Sequence, residues 1–201
     1  MKNSALKKLL LVISGSVISA YGIDLAIHAG FGGATLAVLW QGISSVFHIS
    51  YGTASLAVAA VMIIFCFFYD RKQIYWGTLI YQIIYSAFVD IFAKCVFYTE
   101  SKIVNFALML LGITVFAIGT AIYSFADFGR GSYEALTFAI ADKNGFQVRY
   151  VRIALDAAVV IVGVLLGGKF GLCTVFTVLL SGFIIQFTLK ILNKIKNDGS
   201  K

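Results

Sequence analysis

With 60% hydrophobic and only 12% charged side chains over 201 residues, and a mean hydropathy of +0.94, the chain is too apolar for a soluble core, which runs at about half apolar and a quarter charged. Its formal net charge of +7 does not point to nucleic acid, because the basic residues sit at the ends of apolar runs and form no aromatic-laced basic face; lipid is the implied solvent and partner. Three cysteines, an odd number with no metal-ligand spacing, argue against a disulfide framework and read as small embedded hydrophobes.

Six apolar runs reach or approach the roughly 20 helical residues that cross a bilayer core. They are Leu9–Ala29, Tyr51–Tyr69, Ile74–Phe97, Ile103–Phe125, Val151–Gly167 and Phe170–Leu192. The fifth is short, and Asp156 interrupts it near its start. Sustained strand alternation, which a barrel requires, is missing. The first run follows Lys2, Lys7 and Lys8 as a secretory signal would, but it continues to Ala29 and has a counterpart later in the chain, so it is expected to be a retained helix.

That counterpart lies 97 positions on. At this offset Gly15 meets Gly112, Ala20 meets Ala117, Gly22 meets Gly119, Ala29 meets Ala126, Phe31 meets Phe128 and Gly32 meets Gly129. Lys72 meets Lys169 in the same register, and Thr78 meets Thr174 with a one-residue slip. The chain reads as one membrane domain of two halves, approximately 1–97 and 98–201, with three spans each. With the N-terminus inside, thirteen Lys and Arg lie on the inner side against three, Lys94, Lys102 and Lys169, on the outer, which sets both termini in the cytoplasm. An odd number of spans per half inverts the second half relative to the first, the plan of many secondary transporters.

Between spans one and two, residues 34–47 are too short to cross; so are residues 132–142 between spans four and five. Each follows a glycine-rich turn, Gly30-Phe-Gly-Gly33 and Phe128-Gly-Arg-Gly131. They read either as amphipathic helices lying on the surface or as re-entrant elements lining a cavity. Ser132 is the expected N-cap of the second, Glu134 lies in its first turn where the helix dipole favours an acid, and Trp40 suits the membrane interface.

Ionisable residues at membrane depth are costly and mark candidate sites. Asp24 and His28 share a face of span one, and Asp90 and Lys94 share a face of span three. Asp90 and Lys94 read most simply as an ion pair, and Asp24 and His28 as a buried hydrogen-bonded pair or a proton or substrate position. On the inner side Arg130 and Glu134, then Arg152 and Asp156 with Arg149 nearby, form local salt bridges, or else a cytoplasmic gate or anion-binding mouth; Glu134 is expected to face inward near Arg149 or Arg152. Gln82 and Gln186 suit hydrogen bonding between helices, and the paired glycines suit close helix packing.

The stretch Gly129-Arg-Gly-Ser-Tyr-Glu-Ala-Leu136, followed by an apolar span and Gly167-Gly-Lys-Phe-Gly-Leu-Cys-Thr174, resembles the YczE/YyaS/YitT group of small bacterial multi-pass membrane proteins. The resemblance covers nearly the whole chain and implies a bacterial cytoplasmic-membrane protein with no established catalytic residues to carry over. The chain departs from the pattern: it has no proline, Ala34 and Ser132 stand where the group usually has one, and Leu36 lies near the position matching Glu134. No phosphate loop, metal-binding pair or nucleophile with its base is present, so neither an enzyme nor a cofactor or metal site is expected. Two classes of function stay open: a transporter of a small molecule or ion, and a non-transporting regulator or assembly factor that binds a membrane-protein partner or a second copy of itself.

Overall fold

A computed structural model describes the backbone of residues 2–95 and 98–198 and the side chains of 5–95 and 98–197. Phe97, the expected end of the third span, and Lys201, counted among the inner cations, lie outside the described residues, as does the side chain of Lys2. Among the described residues there are eight α-helices and no strand: α1 (Lys2–His28), α2 (Thr35–Phe47), α3 (Tyr51–Tyr69), α4 (Trp76–Phe92), α5 (Lys102–Phe125), α6 (Ser132–Asn144), α7 (Val148–Leu165) and α8 (Leu172–Asp198), with one 3-10 turn at Arg71–Gln73.

Four helices, α1, α3, α5 and α8, are long and apolar enough to cross a membrane. The other two expected spans form as helices but fall short of that measure. The 17 residues of α4 rise roughly 26 Å at 1.5 Å each, and α7 carries Arg149, Arg152 and Asp156 in its first half. The two short segments form helices of 13 residues each, α2 and α6.

At the centre α1 crosses α5. The crossing is close because glycines meet glycines. A Cβ on Gly15 would strike the backbone of Gly119 and Tyr123, and one on Gly119 the backbone of Gly15 and Ser19. Gly22 and Gly112 face each other in the same reciprocal way. Moving both members of the Gly15–Gly119 pair by 97 positions, one up and one down, yields the Gly22–Gly112 pair. Packing through small residues is what drives association in lipid, where apolar side chains gain nothing by leaving the acyl chains.

The loops repeat the relation. Gly77 N donates to Phe128 O at 3.1 Å, and Cys173 N donates to Phe31 O at 2.9 Å. Tyr75 N donates to Thr78 Oγ1 at 3.4 Å and Gly171 N to Thr174 Oγ1 at 3.3 Å. Gly32 and Gly129 have φ of +92° and +148°, a region that side chains rarely adopt. A Cβ on Gly32 would press on Gly171, and one on Gly129 on the backbone of Thr78. The 30–33 turn is thereby held against the start of α8, and the 128–131 turn against the start of α4.

The helix neighbours follow suit, with one exception. α4 packs on α1 as α8 packs on α5; α2 lies against α7 as α6 lies against α3; α2 meets α3 as α6 meets α7. α3 also packs along α4, but α7 and α8 make no comparable contact.

Candidate functional site

A cavity of about 490 Å³ occupies the middle of the molecule, and every helix contributes to its wall. α2 supplies Trp40, α4 supplies Tyr81, Gln82 and Tyr85, α6 supplies Tyr133 and Glu134, and α7 supplies Arg149, Arg152 and Asp156. The inner faces of α2 and α6 are buried; both short helices line the cavity rather than lie on the surface. Trp40, expected at the membrane interface, is instead 6% exposed and sits edge-on to Tyr85 with ring centroids 5.9 Å apart. Its large ring fills space between helices. Tyr85 stacks on Tyr81 at 5.4 Å, and Tyr81 lies 4.1 Å from Tyr123, so an aromatic row crosses the cavity wall.

Glu134 ends this row. It accepts a 2.7 Å hydrogen bond from Tyr123 Oη, and Gly131 leaves the space its carboxylate fills. It faces the cavity shared with Arg149 and Arg152, as expected, but no cation stands within ion-pair distance of it among the described residues. The expected Arg130–Glu134 pair does not form. Arg130 Nη1 donates to Gln73 Oε1 at 2.6 Å, and its guanidinium lies over the Phe138 ring at 3.7 Å; the tight turn before α6 aims the two side chains apart. Arg152 and Asp156 do pair, at 3.5 Å. Asp156 also accepts from Tyr133 Oη at 2.7 Å, and Arg152 stacks over the Tyr133 ring. Ser132 is the first helical residue of α6 rather than its cap, which is Gly131. The Ser132 hydroxyl donates to Gln82 Oε1 at 3.1 Å, and Gln82 Nε2 donates to Ser86 Oγ at 3.0 Å, so Gln82 links α4 to α6. Gln186 is exposed.

The other expected pairs lie apart from the cavity wall. Among the described residues Asp90 forms no ion pair with Lys94, which is exposed in the turn after α4. Asp90 instead accepts from Gly52 N at 2.7 Å and from Ser50 Oγ at 2.6 Å. The exposed N–H groups at the start of α3 attract the carboxylate more strongly than a solvated ammonium does. Ser55 and Ser86 hydroxyls, 2.7 Å apart, extend this latch along the α3–α4 seam. Asp24 is fully buried. His28 Nδ1 lies 3.0 Å from the Asp24 carbonyl oxygen and 3.4 Å from its carboxylate, Tyr98 Oη donates to the Leu25 carbonyl at 3.0 Å, and neither Asp24 carboxylate oxygen has a hydrogen-bond partner among the described residues. Among the described residues no hydrogen bond or ion pair joins Asp24 or His28 to Asp90 or Lys94. No three His, Cys, Asp or Glu side chains converge as a metal site among the described residues.

The residues the sequence did not single out are the aromatic ones, Tyr81, Tyr85, Tyr123 and Tyr133. On apolar helices their spacing is that of core positions, and only the fold brings Tyr81, Tyr85 and Tyr133 onto the cavity wall, with Tyr123 beside Tyr81.

The seam opposite the latch is open. Positions 97 beyond Gly52 and Ser55 are Arg149 and Arg152, and positions 96 beyond Ser86 and Asp90 are Gly182 and Gln186. Small hydroxyl partners are thus replaced by a long cation and a glycine. A Cβ on Gly182 would meet nothing within contact distance. A second, apolar hollow lined by Ala157, Val160, Val175 and Leu179 continues the gap between α7 and α8, and shares Thr35, Asp156 and Val178 with the main cavity.

The fold and the cavity define an all-helical integral membrane protein with a polar and aromatic chamber at its centre. Within that class the chain belongs to the family of unknown function DUF6198, whose model matches residues 6–190. It is 23% identical over 190 residues to the uncharacterized membrane protein YczE of Bacillus subtilis, covering 94% of this chain and 88% of that one. An uncharacterized protein of Haemophilus influenzae is 29% identical over 179 residues, 89% of this chain and 81% of its own. The uncharacterized protein YyaS of Bacillus subtilis is 24% identical over 183 residues, 90% and 91% of the two chains. No solved structure matches the chain.

Proposed function

We propose that the chain is a small-molecule or ion transporter of the cell membrane, built from two inverted repeats of three spans with both termini in the cytoplasm. The observation that carries this reading is the cavity, walled by all eight helices, with one seam latched and its counterpart open. An inverted pair of repeats around a central site is the arrangement from which alternating access follows: the two seams exchange states. The reciprocal glycine crossing of α1 and α5 supports the repeat, and the concentration of Lys and Arg in the termini and the 70–73 and 126–150 segments supports the orientation. α4 and α7 complete the six spans, with Arg149 and Arg152 reaching out to the inner interface. In this orientation the Asp90 latch is the outer gate, and the Arg149–Arg152 end of the open seam faces the cytoplasm.

Thiol labelling tests the proposal without knowledge of the substrate. Ala59 lines the cavity and is buried; Ala59→Cys is made in a chain whose three native cysteines are replaced by alanine. A membrane-impermeant thiol reagent is expected to reach it in inverted vesicles and not in intact cells, and adding Asp90→Asn is expected to open it from outside. Labelling from one side only, with and without Asp90, contradicts alternating access.

A second reading rests on the apolar hollow between α7 and α8: a helix of a partner protein fills that gap and the cavity carries nothing. Protection of Ala59→Cys from both sides in native membranes, lost on purification, is the outcome that favours it.

A further inference from the structure

We infer that the cavity takes a small organic monocation, an amine or quaternary ammonium. The inference rests on the transport reading for its setting and adds the substrate class. Two features of the cavity carry it.

The first is charge. Two carboxylates, Glu134 and Asp156, and one guanidinium, Arg152, stand on the wall; Arg149 also borders the cavity but is exposed at its mouth. Arg152 is engaged by both acids, through its 3.5 Å contact to Asp156 and at longer range with Glu134. With the exposed Arg149 left out, acids outnumber cations on the wall by one, and a bound monocation balances the set.

The second is the shape of the wall beside the uncompensated acid. Glu134 is reached along the row of Trp40, Tyr85 and Tyr81, three aromatic rings in contact. Aromatic faces attract alkylammonium groups through the ring quadrupole while tolerating their apolar substituents, and an adjacent carboxylate adds the opposite charge. An inorganic cation gains little there, since it needs a shell of oxygens that these rings do not supply.

The test uses the full chain purified in detergent with Trp76→Phe, so that Trp40 is the only tryptophan; Trp76 is exposed at the start of α4. The probes are choline and its neutral isostere 3,3-dimethyl-1-butanol, titrated against Trp40 fluorescence. Choline is expected to change the emission saturably and to bind about tenfold or more tighter than the isostere, the scale of a desolvated cation–π contact with a paired charge. Glu134→Gln is expected to remove that advantage while binding of the isostere stays unchanged. Equal binding of the two probes, or no response to choline, overturns the assignment, and so does unchanged choline binding by a folded Glu134→Gln protein. The probe comparison in the unsubstituted site stands even if Glu134→Gln fails to fold. Failure here with Ala59→Cys still labelled from alternate sides removes the cation and leaves transport; loss of alternate labelling removes transport itself.

Discussion

The two seams of the molecule, α3 against α4 and α7 against α8, are related by an offset of 96 or 97 residues in the sequence, yet one is latched and the other gapes. The latched seam is made of small hydroxyls and an acid on a helix start: Ser55 with Ser86, and Asp90 with Gly52 and Ser50. The open seam has Arg152 and Arg149 opposite Gly182 and Gln186. The difference teaches that the crossing of α1 and α5 holds the fold while the seams are free to differ. Glycine contacts are backbone against backbone and have one arrangement. A few hydrogen bonds between helices, each about 0.6 kcal/mol on average in a membrane protein, can form in one half and be absent in the other at little cost.

The largest expected effect breaks the shared core. Gly22→Leu forces a side chain into the backbone of Phe116 and Gly112, where neither wall can yield. Overpacking of this kind costs about 1–3 kcal/mol even where side chains can move, so a loss of most folded protein is expected, read as monodisperse yield after detergent extraction. Gly182→Leu makes the same change in the open seam, where the added side chain meets space, and is expected to leave that yield intact.

A smaller effect comes from the latch. Asp90→Ala leaves Gly52 N without its acceptor and the Ser50 hydroxyl with Thr53 Oγ1 alone, and a destabilisation of about 1–3 kcal/mol is expected, measured by unfolding in mixed detergent and SDS. Ser86→Ala is expected to cost less, about 1 kcal/mol, because it removes only neutral bonds to Ser55 and Gln82. Lys94→Ala is expected to change stability by less than about 0.5 kcal/mol, since Asp90 does not pair with it. A Lys94 effect as large as that of Asp90 would restore the ion pair read from the sequence.

Much of the frame was legible in the chain. The offset of 97 brought Gly15 to Gly112 and Gly32 to Gly129, and these residues hold the helix crossing and the two turns. The short segments 34–47 and 132–142 were legible as helices too short to cross. The site was legible in part. Glu134, Arg152 and Asp156 stand out because charges are rare in apolar runs, and all three line the cavity. Their partners were harder to read. An i,i+4 spacing puts Asp90 beside Lys94 and Arg130 beside Glu134, but spacing within one helix is silent about the exposed N–H groups of another, which captured Asp90, and about the turn that sends Arg130 to Gln73. The aromatic row could not be read at all, because tyrosine in a membrane helix has the same pattern whether it faces lipid, core or cavity.

The central claim is that the two seams differ, and distances between equivalent pairs test it most directly. Thr53 on α3 and Ile91 on α4 are exposed, and Tyr150 on α7 and Phe187 on α8 are their exposed counterparts. Spin labels on each pair, in cysteine-free protein reconstituted into liposomes, report the two separations by pulsed electron resonance. A shorter and narrower distribution is expected for positions 53 and 91 than for 150 and 187. Equal distributions for the two pairs would contradict the account.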